Sequence, residues 1–308
     1  DDHPSAFAAR QLLMAHAAWS DVRSARQVHD QRIARAGFGI ADSALGDSDV
    51  RLRDWTLRRE GLAGLGADRA SLYRITLGRS ALGDRLDLSA RTTGPVLLQG
   101  DQGWSRKGPK PQQFSHYYSQ PQLALQATLV RDGRTLALTG RGWLDHEWSD
   151  SLLDADAIGW DWVGFNLLDG RSLTAFRLRR HNRQGIGEDA GSADPADPTL
   201  WTGGSWREPD GRSRSYAHAD GEALRWTPLR HWTSPATQAR YPVEWQLDTP
   251  AGRFRVRALF DAQELDSRAS TGTVYWEGLS ELLDADGRQR LGLGYLEMTG
   301  YAQPLRLR

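Results

Sequence analysis

The sequence predicts an all-β, antiparallel fold, and three observations carry that prediction. Short runs alternate apolar and polar residues with period two, pairs such as Asp132-Gly133, Asp210-Gly211 and Asp286-Gly287 supply tight turns, and 13 tryptophans offer the bulky apolar area of a dense β core. Hydrophobic residues make up 39% of the 308 and mean hydropathy is −0.60. No apolar run approaches the length needed to span a bilayer as a helix.

The elements follow in chain order. Residues 10–19 have a helical composition, yet Leu12, Met14, His16 and Ala18 alternate against Leu13, Ala15, Ala17 and Trp19, so propensity does not decide between helix and strand. Ala25–Arg35 reads as a short helix ended by Gly37. Leu136–Trp143 is an alternating strand, and Ser172–Arg179 is another, fed by the turn at Asp169 and Gly170. The stretch 182–198 is rich in Gly, Asp and Pro and reads as a long loop. Arg253–Phe260 is the cleanest strand: Phe254, Val256 and Ala258 point one way while Arg253, Arg255 and Arg257 point the other.

Composition excludes several chemistries. With no cysteine there is no disulfide, thiolate nucleophile or Cys-bound metal. Equal numbers of basic and acidic residues, 39 of each, with no segregated basic block, argue against a nucleic-acid partner. Only Lys107 and Lys110 among the basic residues are lysine, a bias that reads as codon usage rather than dozens of specific guanidinium contacts.

The segment Gly142–Trp148 concentrates candidate chemistry. In an extended chain Trp143, Asp145 and Glu147 share one face, with the two carboxylates about 7 Å apart, while Leu144, His146 and Trp148 share the other. In Trp-lined surroundings one of those acids would keep its proton at neutral pH, as a general acid must. The same string reads equally as a buried ion-pair cluster with Arg141 or Arg177 as partners, and a metal site is a third reading that lacks a second His at ligand spacing. Asp161 is a further acid between Trp160 and Trp162, but alternation turns both rings away from it, which favours an outward carboxylate on an arginine.

Three other groups stand out. The loop 100–119 gathers Lys107, Lys110, His116, Tyr117 and Tyr118, where ligand contacts collect, without the spacing of a phosphate loop. His16, Ser20 and Asp21 supply triad residue types but no nucleophile elbow. Glu264, Asp266, Arg268, Tyr275, Trp276 and Glu277 form a polar-aromatic group in which Tyr275 and Glu277 face away from Trp276.

Several ordered strings run the length of the chain: HAAWSD (16–21), QGDQGWSRKGPKPQQFSHYYSQPQL (99–123), GRGWLDHEWSD (140–150), GWDWVGFNLLDG (159–170), WTSPATQARYPVEW (232–245) and QELDSRASTGTVYWEG (263–278). Together they resemble the lipocalin-like family of carotenoid 1,2-hydratases and AttH-type proteins. The resemblance implies two lipocalin-like β-barrels or half-barrels, over 1–153 and 154–308, with a cleft between them and a secreted or periplasmic location. It also implies a strand stretch with a Trp-Trp-Tyr motif before residue 4, which this sequence does not contain. Residues near 5–20 are then expected to form a strand with one unpaired side, or to pair with a neighbouring molecule.

The function so implied is binding of an isoprenoid, lipid or polycycle, with cofactor-free and metal-free acid/base chemistry such as alkene hydration. A neutral carboxyl protonates the alkene, Trp faces steady the carbocation, and water adds with help from His146 or a carboxylate. Asp145, His146, Glu147 and Asp161 are the catalytic candidates. Trp143, Trp148, Trp160, Trp162, His16, Lys107, Tyr117, Tyr118, Tyr275 and Trp276 are the ligand-binding candidates. The alternative is a lipocalin-like carrier in which the same aromatic face only shields its ligand.

Overall fold

A computed structural model describes residues 11–61, 71–150, 154, 156–180, 199–217 and 224–305; the expected loop at 182–198 lies outside them. Every regular element among the described residues is a β-strand, and these strands pair antiparallel. The fold is all-β, in keeping with two lipocalin-like domains. The chain divides into two compact units that are interleaved rather than cut after residue 153. The first holds residues 1–96, 120–142 and 266–272, and the second holds 97–119, 143–265 and 273–308.

In the first unit β1 (Leu12–Asp21) pairs with β2 (Arg26–Arg35) over ten residues in unbroken register. The expected helix at Ala25–Arg35 is therefore a strand. Its residues favour helix only weakly, and a complete ladder to β1 outweighs a preference of a few tenths of a kcal/mol per residue (~0.5). Among the described residues β1 has no second strand partner. A meander follows, from β3 (Ala41–Ser43) through β4 (Asp49–Leu52), β5 (Trp55–Gly61) and β6 (Ser71–Leu77) to β7 (Arg85–Arg91). The far end of β10 (Phe114–Arg131) pairs with β7 and is neighboured by β11 (Arg134–Trp148). Leu13, Ala41 and Leu52 form one small core, and Ala17, Trp55 and Leu82 another.

The second unit carries the larger core. Its sheet runs β15 (Ser213–Ala217), β14 (Thr199–Arg207), β13 (Ser172–Arg180), β12 (Ala157–Leu167), β21 (Arg290–Met298), β20 (Val274–Leu283), β18 (Gly252–Ala258), β17 (Arg240–Thr249) and β16 (Arg225–Thr233). The short β19 (Glu264–Asp266) pairs with β20, and β8 (Leu97–Leu98) and β9 (Trp104–Arg106) pair with the start of β10. Alternate residues point into one core: Val163, Phe165, Trp245, Val256, Trp276, Leu282 and Leu296 are fully buried. Phe254, Val256 and Ala258 lie on that face, as their alternation predicts. The other face of β12, β20 and β21 carries the candidate site.

Candidate functional site

The start of β10 and the end of β11 present Ser115, Tyr117 and Ser119 beside Trp143, Asp145 and Glu147. Asp145 Oδ1 accepts hydrogen bonds from Ser119 Oγ at 2.5 Å and Trp143 Nε1 at 2.8 Å, and the Tyr117 hydroxyl is hydrogen-bonded to the same carboxyl. Burial pushes Asp145 up to about 6, and although these three donors favour the anion they do not offset the loss of hydration. The residue keeps open surface while being enclosed by protein on its other sides. Enclosure by protein around the carboxyl sets the direction of the shift.

Tyr117 is buried and accepts a hydrogen bond from Trp162 Nε1 at 3.1 Å; desolvation, then the negative charges of Asp145 and Glu147, hold its phenol protonated. Trp162 stands edge-on to Trp143, with ring centroids 6.3 Å apart. Gly164 makes room for them, because a Cβ there would lie 2.4 Å from Trp162 Cη2 and 3.2 Å from Trp143 Cε2. Glu147 accepts from Ser115 Oγ and pairs with Lys107 Nζ at 2.8 Å. That ammonium also lies 4.6 Å from the Tyr117 ring centroid and 4.4 Å from that of Phe176.

Two more carboxylates complete the cluster. Glu277 on β20 and Glu297 on β21 are direct cross-strand partners, and Trp160 Nε1 donates to Glu297 Oε1 at 2.9 Å. Burial raises both well above the ordinary carboxylate range. For Glu297 the negative charges of Glu277, Asp145 and Glu147 raise it further. Tyr295, on the same face, is also raised, by burial and then by the charges of Glu277 and Glu297; Tyr275 adds to this shift. The result is an aromatic face holding four acids, of which the Glu277–Glu297 pair retains a proton near neutrality.

This arrangement makes stability depend on pH. A carboxyl raised by folding contributes stability that is present below its ordinary pKa and lost as pH rises through the folded value. His16 and His231, lowered by burial, act in the opposite sense only below 6.5. Among the described residues the raised acids dominate above pH 6.5, so Tm should fall by a few degrees towards about pH 8.5. Glu297→Gln should flatten that fall and raise Tm at the alkaline end; thermal melts across the range measure both effects.

The structure separates the remaining candidates. His146 is on the opposite face from Asp145. Its Nδ1 is 2.9 Å from Tyr118 Oη, and it packs beside Trp148, which stacks on His116. The sequence expectation that joined His146, Tyr118 and Trp148 to the acids is therefore corrected, and the strand's alternation is the reason. Arg141 does not serve the acids either, since its Nη1 donates to Gln122. Asp161 is not the outward carboxylate its sequence context favoured: it is fully buried in the core, bound by Arg177 and Arg179, away from the acid cluster. Trp276 is a fully buried core residue whose Nε1 donates to the Asp261 carbonyl at 2.7 Å. His16 belongs to the first unit and bonds Ser270 Oγ at 2.7 Å. Trp143, Trp160, Trp162, Tyr117, Tyr275 and Lys107 do fall on the acid-bearing face.

Sequence reasoning missed Glu297, Ser115 and Ser119 and did not choose Glu277. The alternation of Tyr295 and Glu297 against Leu296 and Met298 was readable, but nothing local shows that β21 lies beside both β12 and β20.

A family model described as AttH-like matches residues 1–301. A crystal structure of a provisionally named AttH from Nitrosomonas europaea is similar at 39% identity and TM-score 0.82, over 96% of this chain and 84% of that one. Kievitone hydratase from Nectria haematococca is similar in fold at 13% identity and TM-score 0.63, over 94% and 80% of the two chains. CghA, solved with Sch210972, is similar in fold at 13% identity and TM-score 0.52, over 89% and 76%. No curated protein matches the chain.

Proposed function

Because the chain belongs to the AttH-like family, we propose that it binds a hydrophobic isoprenoid, lipid or polycycle on the Trp143–Trp162 face and transforms it by cofactor-free acid/base chemistry. One observation carries the reading: Asp145, raised to about 6, stands among indole rings and three hydrogen-bond donors. Alkene hydration fits it directly. Asp145 gives its proton to one alkene carbon, the cation develops beside the Trp143 and Trp162 rings, and water bonds to the other carbon. The spare proton of that water returns to the carboxylate, restoring the acid. Isomerisation uses the same first step and ends with loss of a different carbon-bound proton.

One similar fold is named a hydratase, which makes water addition the first reaction to try. The carrier reading draws support from Glu147, whose charge is taken up by Lys107 and Ser115. Incubation with kievitone and with an acyclic carotenoid in oxygen-18 water, followed by mass spectrometry, decides between the readings. A product heavier by one labelled water is expected. Binding with no mass gain and no exchange of carbon-bound hydrogen would establish the carrier instead.

A further inference from the structure

A separate recess in the second unit shares none of the four acids. It encloses about 690 Å³, within the range that takes drug-sized molecules, and Gln99, Trp104, Arg106, Phe176, Trp201 and Tyr216 are among its walls. Gln99 is committed elsewhere: its amide donates to Ser119 and Thr174 and its carbonyl accepts from Ser205, so it forms a fixed wall rather than a ligand donor. Trp104 is half-exposed and backed by Phe114, with centroids 4.0 Å apart, leaving ring surface open at the recess.

Arg106 sets the chemistry. Its guanidinium carbon lies 4.8 Å from the Trp201 ring centroid, and Nη2 donates to the carbonyls of Gly108 at 3.0 Å and Pro109 at 2.6 Å. The group is thus held in place by neutral partners. Its Nε is buried without an acceptor, and no carboxylate among the described residues pairs with it. A fixed cation on an aromatic wall, lacking a counterion, suits a planar anion. Asp101, exposed and on the same lining, adds one negative charge that selects against a dianion.

We propose that this recess is a second ligand site for a planar aromatic monocarboxylate, with Arg106 binding the carboxylate and Trp104, Phe176 and Tyr216 flanking the ring. Calorimetric titration of the whole protein with 2-naphthoate and its uncharged analogue 2-naphthylmethanol tests it. Naphthoate should bind at least about tenfold more tightly than the alcohol, and Arg106→Gln should erase that difference. Trp104→Ala, at an exposed position that leaves folding intact, should weaken both ligands, and Asp145→Asn should weaken neither. Equal binding of acid and alcohol, no binding, or unchanged binding in Arg106→Gln or Trp104→Ala overturns the assignment. Weakening of naphthoate by Trp143→Ala but not by Trp104→Ala would place the ligand at the acid cluster and not in the recess. Because the readout is binding, a failure of the hydration reading leaves this test standing.

Discussion

Asp145→Asn is expected to cut turnover of a hydrated or isomerised substrate by about 10²–10⁴-fold, the usual contribution of a positioned general acid, while leaving ligand affinity nearly unchanged. The substitution keeps size and shape. An asparagine oxygen can still accept from Ser119 and Trp143, but its amide cannot protonate an alkene. The acid form is the working form, so kcat/KM should decline as pH rises above about 6. Ser119→Ala sharpens the test, because the Ser119 hydrogen bond lowers the Asp145 pKa and its removal should carry the descending limb to higher pH. A structural role would not move that limb. Full turnover in Asp145→Asn would remove this carboxyl from the mechanism and favour the carrier.

How much of this was legible follows from where each signal resides. The two faces of β11 could be read from alternation alone, which placed Trp143, Asp145 and Glu147 together and set His146 and Trp148 opposite. Grouping His146 with the acids follows sequence adjacency and runs against that same alternation. The partners of Asp145 were not legible, because Ser119 and Tyr117 come from a strand that only the fold brings alongside. Glu277 and Glu297 meet for a similar reason, twenty residues apart and joined across β20 and β21. The helix expected at Ala25–Arg35 failed because local propensity is weak beside a ten-residue ladder. The interleaved units were hidden because β10 and β11 each begin in one unit and end in the other.

The largest stability effect is expected at Asp161, whose substitution by asparagine should cost about 3–5 kcal/mol, the usual penalty for breaking a buried ion pair. Asp161 is fully buried. Arg177 Nε donates to its Oδ2 at 2.6 Å and Tyr301 Oη donates to its Oδ1 at 2.8 Å. Arg179 Nε lies 3.3 Å from Oδ2, close enough to pair in charge although its geometry does not make a hydrogen bond. The guanidiniums are confined by aromatic rings, Arg177 4.7 Å from the Trp245 centroid and Arg179 3.9 Å from that of Tyr301. Removing the carboxylate charge therefore leaves two buried cations that cannot turn to water. A drop in Tm of about 10 °C is expected by thermal melting, and adding Arg177→Met to the variant should restore part of it by replacing one stranded charge with apolar volume. Below that reduced Tm the folded fraction should turn over substrate at the unmodified rate, since Asp161 faces the core while Asp145 lies with Trp162 on the other side of β12. An unchanged Tm combined with lost turnover would reverse this assignment and return Asp161 to the catalytic set.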